Sequence, residues 1–327
     1  MLTPENIVAL IIVFSLIIYI LTGGADFGGG VWDLFARGKR ANAQRELIAH
    51  VLAPIWEANH IWLILIVVLM FVVFPKAYST ILTFLHFPIT IMLIGIVLRG
   101  SAFVFRKYES DADKMRELFS LVFAIGSIIT PFFLGIILGA ITIEQPSLEA
   151  LLWSWFQPFP MFCGLLTLMV CAYLAAVYLI NETLDPALKQ DFRIRALISG
   201  SILLILTLLG TLIAFFEAPI LFHELVLGEY SIPLQILTIV SAVVALVCLK
   251  KNEFKLARIF AMSQVVFILL GWMITQYPDL IAGHLSIAAA AAPKNVIVIT
   301  LVILGVGSLL LAPSLAYLYI VFFGKNR

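Results

Sequence analysis

Apolar residues run along this chain in stretches of roughly twenty, separated by short polar segments. Nine such stretches are legible, at approximately 6–30, 51–74, 80–105, 118–142, 159–181, 196–217, 233–250, 257–277 and 295–323. A helix needs about 20 mostly apolar residues to cross a bilayer. The pattern therefore predicts an all-α integral membrane protein with about nine transmembrane helices and no separate soluble domain.

The charges between the stretches fall into two groups. Assigning alternate loops to opposite sides puts 17 of the 20 basic residues on one side, among them Arg37, Lys39, Arg40, Arg45, Lys189, Arg193, Arg195, Lys250, Lys251, Lys255 and Arg258. The other side receives only Lys76 and Lys294, and Arg99 remains inside a span. An excess of Lys and Arg marks the cytoplasmic face, so the N-terminus is expected outside and the C-terminus inside. The first stretch is preceded by MLTPEN, which has no basic residue, and is read as a retained span. Trp153 and Trp155 suit an interfacial belt. The small residues at 287–292 suggest a close-packed turn or helix end.

Composition agrees with a chain that lives in lipid. Of its 327 residues, 63% are hydrophobic and 12% charged, with a mean hydropathy of +1.12, more apolar surface than one aqueous core could hide. The net charge of +1 gives no reason to expect a nucleic-acid partner. Cys163, Cys171 and Cys248 all lie in apolar stretches, without a haem-attachment motif, and read as small core residues. No metal, phosphate-loop or nucleophile motif is present.

Polar groups inside spans carry the candidate chemistry, because each costs ~2.5 to 3.5 kcal/mol there and needs a partner, water or a task. Asp26 lies in TGGADFGGGVWD near the basic end of the first stretch, Glu57 with Asn59 and His60 in HVLAPIWEANHIWLI near the start of the second, and Arg99 in LRGSAFVFR near the end of the third. At 1.5 Å per residue these sit at similar depth, ~6 to 12 Å below the headgroups. Glycines 23, 24, 28, 29 and 30 permit close helix approach, which lets Asp26 face a neighbour. Pro54 is placed to open the second span. Asp26, Glu57, His60 and Asn59 form a candidate proton path, with Arg99 as an ion-pair candidate. His86 reads as packed, His223 and His284 as solvated, and Glu182 and Asp185 as loop caps. A secondary transporter with a Gly-interrupted helix, or a pure scaffold, would also produce some of these features.

The ordered motifs GGADFGGGVWD, LAPIWEANHIWLI, MFVVFPKAYST and LRGSAFVFR resemble those of subunit II of the cytochrome bd-type terminal oxidases, most strongly over residues 20–110. The resemblance implies two four-helix bundles, approximately 1–142 and 143–277, with a peripheral helix at 295–323. It also implies a bacterial inner-membrane complex that oxidises quinol and reduces dioxygen to water. In that family a partner, subunit I, carries the b- and d-type haems and the quinol site, while subunit II binds no haem, supports assembly and contributes to cytoplasmic proton delivery. Small accessory subunits, membrane lipids and a bound quinone are further expected associates. Glu57 matches the acid of the family's W-[DE]-x-N motif, flanked by Trp56 and Asn59, and Asp26 matches the second Asp of its D-G-F-D-x-G pattern. Gly23 stands in place of the first Asp and Val104 where many members carry Glu, which leaves more of the burden on Glu57 and Asp26.

Overall fold

A computed structural model describes residues 3–52, 56–108, 113–228 and 231–323. In chain order the elements are α1 (Pro4–Leu34), α2 (Ala41–Leu52), α3 (Trp56–Val73), α4 (Pro75–Phe84), α5 (His86–Tyr108), α6 (Asp113–Thr142), α7 (Leu151–Ser154), α8 (Pro158–Asn181), α9 (Pro186–Glu217), α10 (Pro219–Leu227), α11 (Ser231–Lys250), α12 (Phe254–Gln276), the strands β1 (Asp279–Ile281) and β2 (Leu285–Ser286), α13 (Ile287–Ala290) and α14 (Lys294–Phe323). Among the described residues nine helices are long and apolar enough to span a membrane, one for each stretch read from the sequence. Pro54 lies outside the described residues.

Boundaries moved where local chemistry overrides hydropathy. Proline opens α1, α4, α8, α9 and α10, because its fixed φ suits the first helical turn, where its missing N–H costs nothing. Pro75 thus starts a separate short helix, α4, which ends at Leu85 before α5 begins, so the third span is shorter than the apolar pattern suggests. The sixth span starts ten residues earlier than expected, at Pro186, where the Asp185 carboxylate accepts from Ala187 N–H at 2.8 Å and caps α9. α2 is a short helix with buried Gln44, Ile48 and Leu52 on one face.

α1, α6 and α8 pack against one another, α3 lies on α1, α5 on α6, α9 and α12 on α8, and α11 on α12 and α9. α14 touches mainly α1 and α3 and is exposed along most of its length. Glycines set the spacing at the centre. A methyl group at Gly28 would drive into the Cys171 carbonyl of α8, and one at Gly30 into Ser127 of α6. Trp32 Nε1 donates to the Ala172 carbonyl at 2.7 Å and Tyr178 Oη to the Leu21 carbonyl at 3.0 Å, tying α1 to α8 at two levels.

On the basic side, Arg40 donates through Nε and Nη2 to Asp191 at 2.8 and 2.5 Å, Gln44 Nε2 adds a bond to the same carboxylate at 2.7 Å, and Arg195 donates to Gln44 Oε1 at 2.7 Å. On the opposite side β1 and β2 form a small antiparallel hairpin, and its Ala282 N–H donates to the Ile141 carbonyl at the end of α6. The small residues at 287–292 include α13 and its buried Ala290. His86 Nδ1 lies 2.9 Å from the Thr83 carbonyl, and His284 Nε2 donates to the Gln145 carbonyl at 2.8 Å, so His284 is tied to a neighbouring loop. Trp155 is buried against Phe87, with ring centroids 5.1 Å apart, while Trp153 is exposed.

Candidate functional site

The polar residues read from three separate motifs meet around the last third of α1. At Gly28 the α1 backbone meets that of α8 directly, and half a turn earlier α1 presents Asp26 inward, 3% exposed. Asp26 Oδ2 accepts a hydrogen bond from Asn59 Nδ2 of α3 at 2.6 Å. The bond joins a carboxylate to a buried amide, and charge-assisted bonds of this kind are about twice as strong as neutral ones.

Arg99 of α5 completes the cluster in another way than expected. Gly95 and Gly126 bring α5 and α6 together, since a Cβ at Gly126 would stand 2.6 Å from the Gly95 carbonyl and 2.9 Å from the Arg99 nitrogen. Arg99 therefore points into the interior, equally buried, with its guanidinium carbon 4.7 Å from the Phe27 ring centre and 5.6 Å from that of Phe123. No ion pair within 4.0 Å joins it to Asp26, and its Nε has no hydrogen-bond partner. The aromatic faces supply a favourable quadrupole, and the Asp26 carboxylate in the same cluster offsets its charge at longer range.

His60 faces the same interior, half-buried between the rings of Tyr19, Phe27 and Trp56 at centroid distances of 5.9, 6.1 and 6.4 Å. Its Nδ1 lies 3.4 Å from Tyr19 Oη. Trp56 packs on Phe103 and over Gly100. Glu57 takes the other face of α3. Its side chain is exposed on this chain, on the stripe that continues through Ile64, Val68 and Phe71. Asn59 and His60 thus turn toward Asp26, and Glu57 turns away from it.

A cavity of about 690 Å³ opens between α1, α2, α8 and α12. Thr22, Ala25, Asp26 and Gly29 form one wall, Ile48, Val51 and Leu52 of α2 another, and Asn181, Glu182, Lys255 and Arg258 line it at the ends of α8 and α12 nearest the basic loops. Arg258 donates to Glu182 at 3.2 Å and lies over the Tyr178 ring at 4.5 Å. The sequence places Glu182 at the end of one span and Lys255 and Arg258 at the start of another three spans later. Nothing in their spacing announces that they share a cavity with Asp26. Tyr19, Phe27 and Phe123 are likewise apolar-span residues without a motif; their role as a box around Arg99 and His60 comes from packing.

Among the described residues there is no group of three or more His, Cys, Asp or Glu suited to a metal ion. No histidine lines the cavity, and His60 is walled by aromatic rings.

Three kinds of similarity agree with this architecture. In a solved structure of the bd oxidase from Geobacillus thermodenitrificans, a chain aligns over 100% of both lengths with a TM-score of 0.77 at 21% identity, which establishes the shared fold. The cytochrome bd ubiquinol oxidase subunit 2 of Bacillus subtilis is 24% identical over 235 residues, spanning 70% of this chain and 68% of that one. The cytochrome bd-I ubiquinol oxidase subunit 2 of Escherichia coli is 25% identical over 124 residues, 38% of this chain and 32% of that one. The family model for cytochrome bd terminal oxidase subunit II matches residues 4–322, nearly the whole chain, and the protein belongs to that family: it is a membrane-spanning subunit of a haem-containing quinol oxidase complex, built to sit beside a partner subunit.

Proposed function

We propose that this chain is the haem-free subunit of its oxidase, that it supports assembly of a haem-bearing subunit I, and that it carries protons from the cytoplasm toward the oxygen chemistry in that partner. One observation carries the reading: a cavity whose far wall includes the buried Asp26 and whose rim includes Glu182, Lys255 and Arg258 on the basic side of the molecule. The excess of Lys and Arg on that side supports its assignment as cytoplasmic, with the N-terminus outside. The cavity gives water access to a carboxylate that the bilayer would otherwise seal off, and such intramembrane acids mark proton relays. Asn59 holds one Asp26 oxygen, and His60 with Tyr19 continues the polar line inward. The exposure of Glu57 fits an acid that passes protons across to the partner subunit, since an exposed carboxylate at this depth is costly in lipid. The packing of α14 mainly against α1 and α3 supports its place as the peripheral helix outside two four-helix bundles.

The chain purified without its partner is expected to show no haem absorbance in the visible; a haem spectrum would refute that part. The decisive test of proton delivery is oxygen turnover by complex carrying Asp26→Asn, with normal turnover counting against the reading. Glu57→Gln is expected to slow turnover and proton uptake several-fold in fully assembled complex. Unaltered uptake would take Glu57 out of the mechanism.

A further inference from the structure

The rim of the cavity is more organised than a passive opening. Glu182 sits in the C-cap position of α8, where a carboxylate opposes the helix dipole. It is held there by Arg258 of α12 at 3.2 Å. Arg258 lies over the Tyr178 ring, and the Tyr178 hydroxyl donates to the Leu21 carbonyl one residue before Thr22, which lines the same cavity as Asp26. A chain of contacts thus runs from the rim to the wall that holds Asp26. Lys255 stands exposed one helical turn before Arg258, so the rim carries two cations and one anion.

We infer that the Glu182–Arg258 pair, with Lys255 beside it, is the port through which protons enter this cavity, and that its net positive charge keeps metal cations out. The inference rests on the proton-delivery reading above. A proton arriving in water at the rim is taken up by the Glu182 carboxylate or passes along water to an Asp26 oxygen, and leaves when the next acceptor inward takes it. Sodium and potassium ions have no such transfer route and meet a rim of like charge, which low-dielectric walls focus. Glu182 is the rim's own proton acceptor, and Arg258 fixes it at the mouth.

The test uses the whole complex with Lys255→Cys and methanethiosulfonate reagents of similar size, one cationic and one neutral. Cys171 and Cys248 are buried and Cys163 is half-buried, so unsubstituted complex treated in parallel reports any effect of the native thiols. Complete modification of the new cysteine with the neutral reagent is expected to slow oxygen turnover several-fold, the cationic reagent, which puts back the charge of Lys255, is expected to slow it less, and dithiothreitol is expected to reverse both effects. Glu182→Gln, which removes the carboxylate while keeping its shape, is expected to slow turnover without changing haem content. Full modification by the neutral reagent with undiminished turnover overturns the port. If Asp26→Asn still stops turnover in that case, protons reach Asp26 by another route and the port alone is wrong. If Asp26→Asn is also silent, the delivery reading falls with it.

Discussion

Complex carrying Gly28→Leu is expected to be missing from the membrane, or present in trace amounts that melt well below the unsubstituted protein. α1 packs on α3, α6 and α8, and Gly28 stands where its backbone meets that of α8. A Cβ there would collide with the Cys171 carbonyl and lie 2.7 Å from the Ala175 Cβ. Backbone cannot swing aside as a side chain can, so the two helices must separate. Overpacking in well-packed cores costs ~1 to 3 kcal/mol, and a leucine driven into backbone belongs at the top of that range or above it. Separation would also widen the cavity between α1 and α8. Gly305 is the control. It lies on α14 with nothing within 4 Å of its virtual Cβ, and Gly305→Ala is expected to be neutral or to stabilise the helix by ~0.5 to 1 kcal/mol. The amount of haem-loaded complex recovered from membranes and its melting temperature decide the matter. Normal yield and stability for Gly28→Leu would show that α1 and α8 do not meet as described.

Asp26→Asn is expected to cut oxygen turnover by roughly 10²-fold, the low end for a positioned group that must take and give a proton. Asparagine keeps the shape and can still accept from the Asn59 amide, so the polar contact survives while the titrating group is lost. There is a structural cost to separate from this effect, because Asp26 and Arg99 share one buried cluster. Removing one partner of a buried pair costs ~3 to 5 kcal/mol when the two are in contact. Here no oxygen of Asp26 comes within 4.0 Å of the guanidinium, and Arg99 retains the faces of Phe27 and Phe123. The destabilisation should therefore fall below that range and leave complex with normal haem content. Turnover expressed per haem isolates the proton effect. Loss of haem in step with loss of turnover would mean that Asp26 holds the subunit together and does not carry protons.

Much of this architecture was legible in the chain itself. Spans are forced by the absence of water in the bilayer core, where every backbone N–H and C=O must bond within its own helix, so hydropathy alone locates them. The nine spans and the depths of Asp26, Glu57 and Arg99 follow from that requirement. Their side-to-side arrangement does not, because which face of a helix meets which neighbour depends on where backbones can approach. α4 shows a local failure of the same kind. Its residues are apolar enough to extend the third span, and only the break at Leu85 separates it from α5, while Pro75 separates it from α3.

The sequence by itself determined a multi-span membrane protein, its basic and non-basic sides, its family resemblance and the few polar residues placed inside it, since each follows from the cost of moving polar or charged groups into hydrocarbon. Tertiary structure alone decided how those residues are used. It paired Asp26 with Asn59, left Arg99 stacked on aromatic rings, turned Glu57 outward although it stands two residues from Asn59, and joined Glu182 to Arg258 across 76 positions of chain. Those outcomes depend on which glycines allow two backbones to touch, and side-chain contacts across a bundle carry no periodicity that one strand of sequence can reveal.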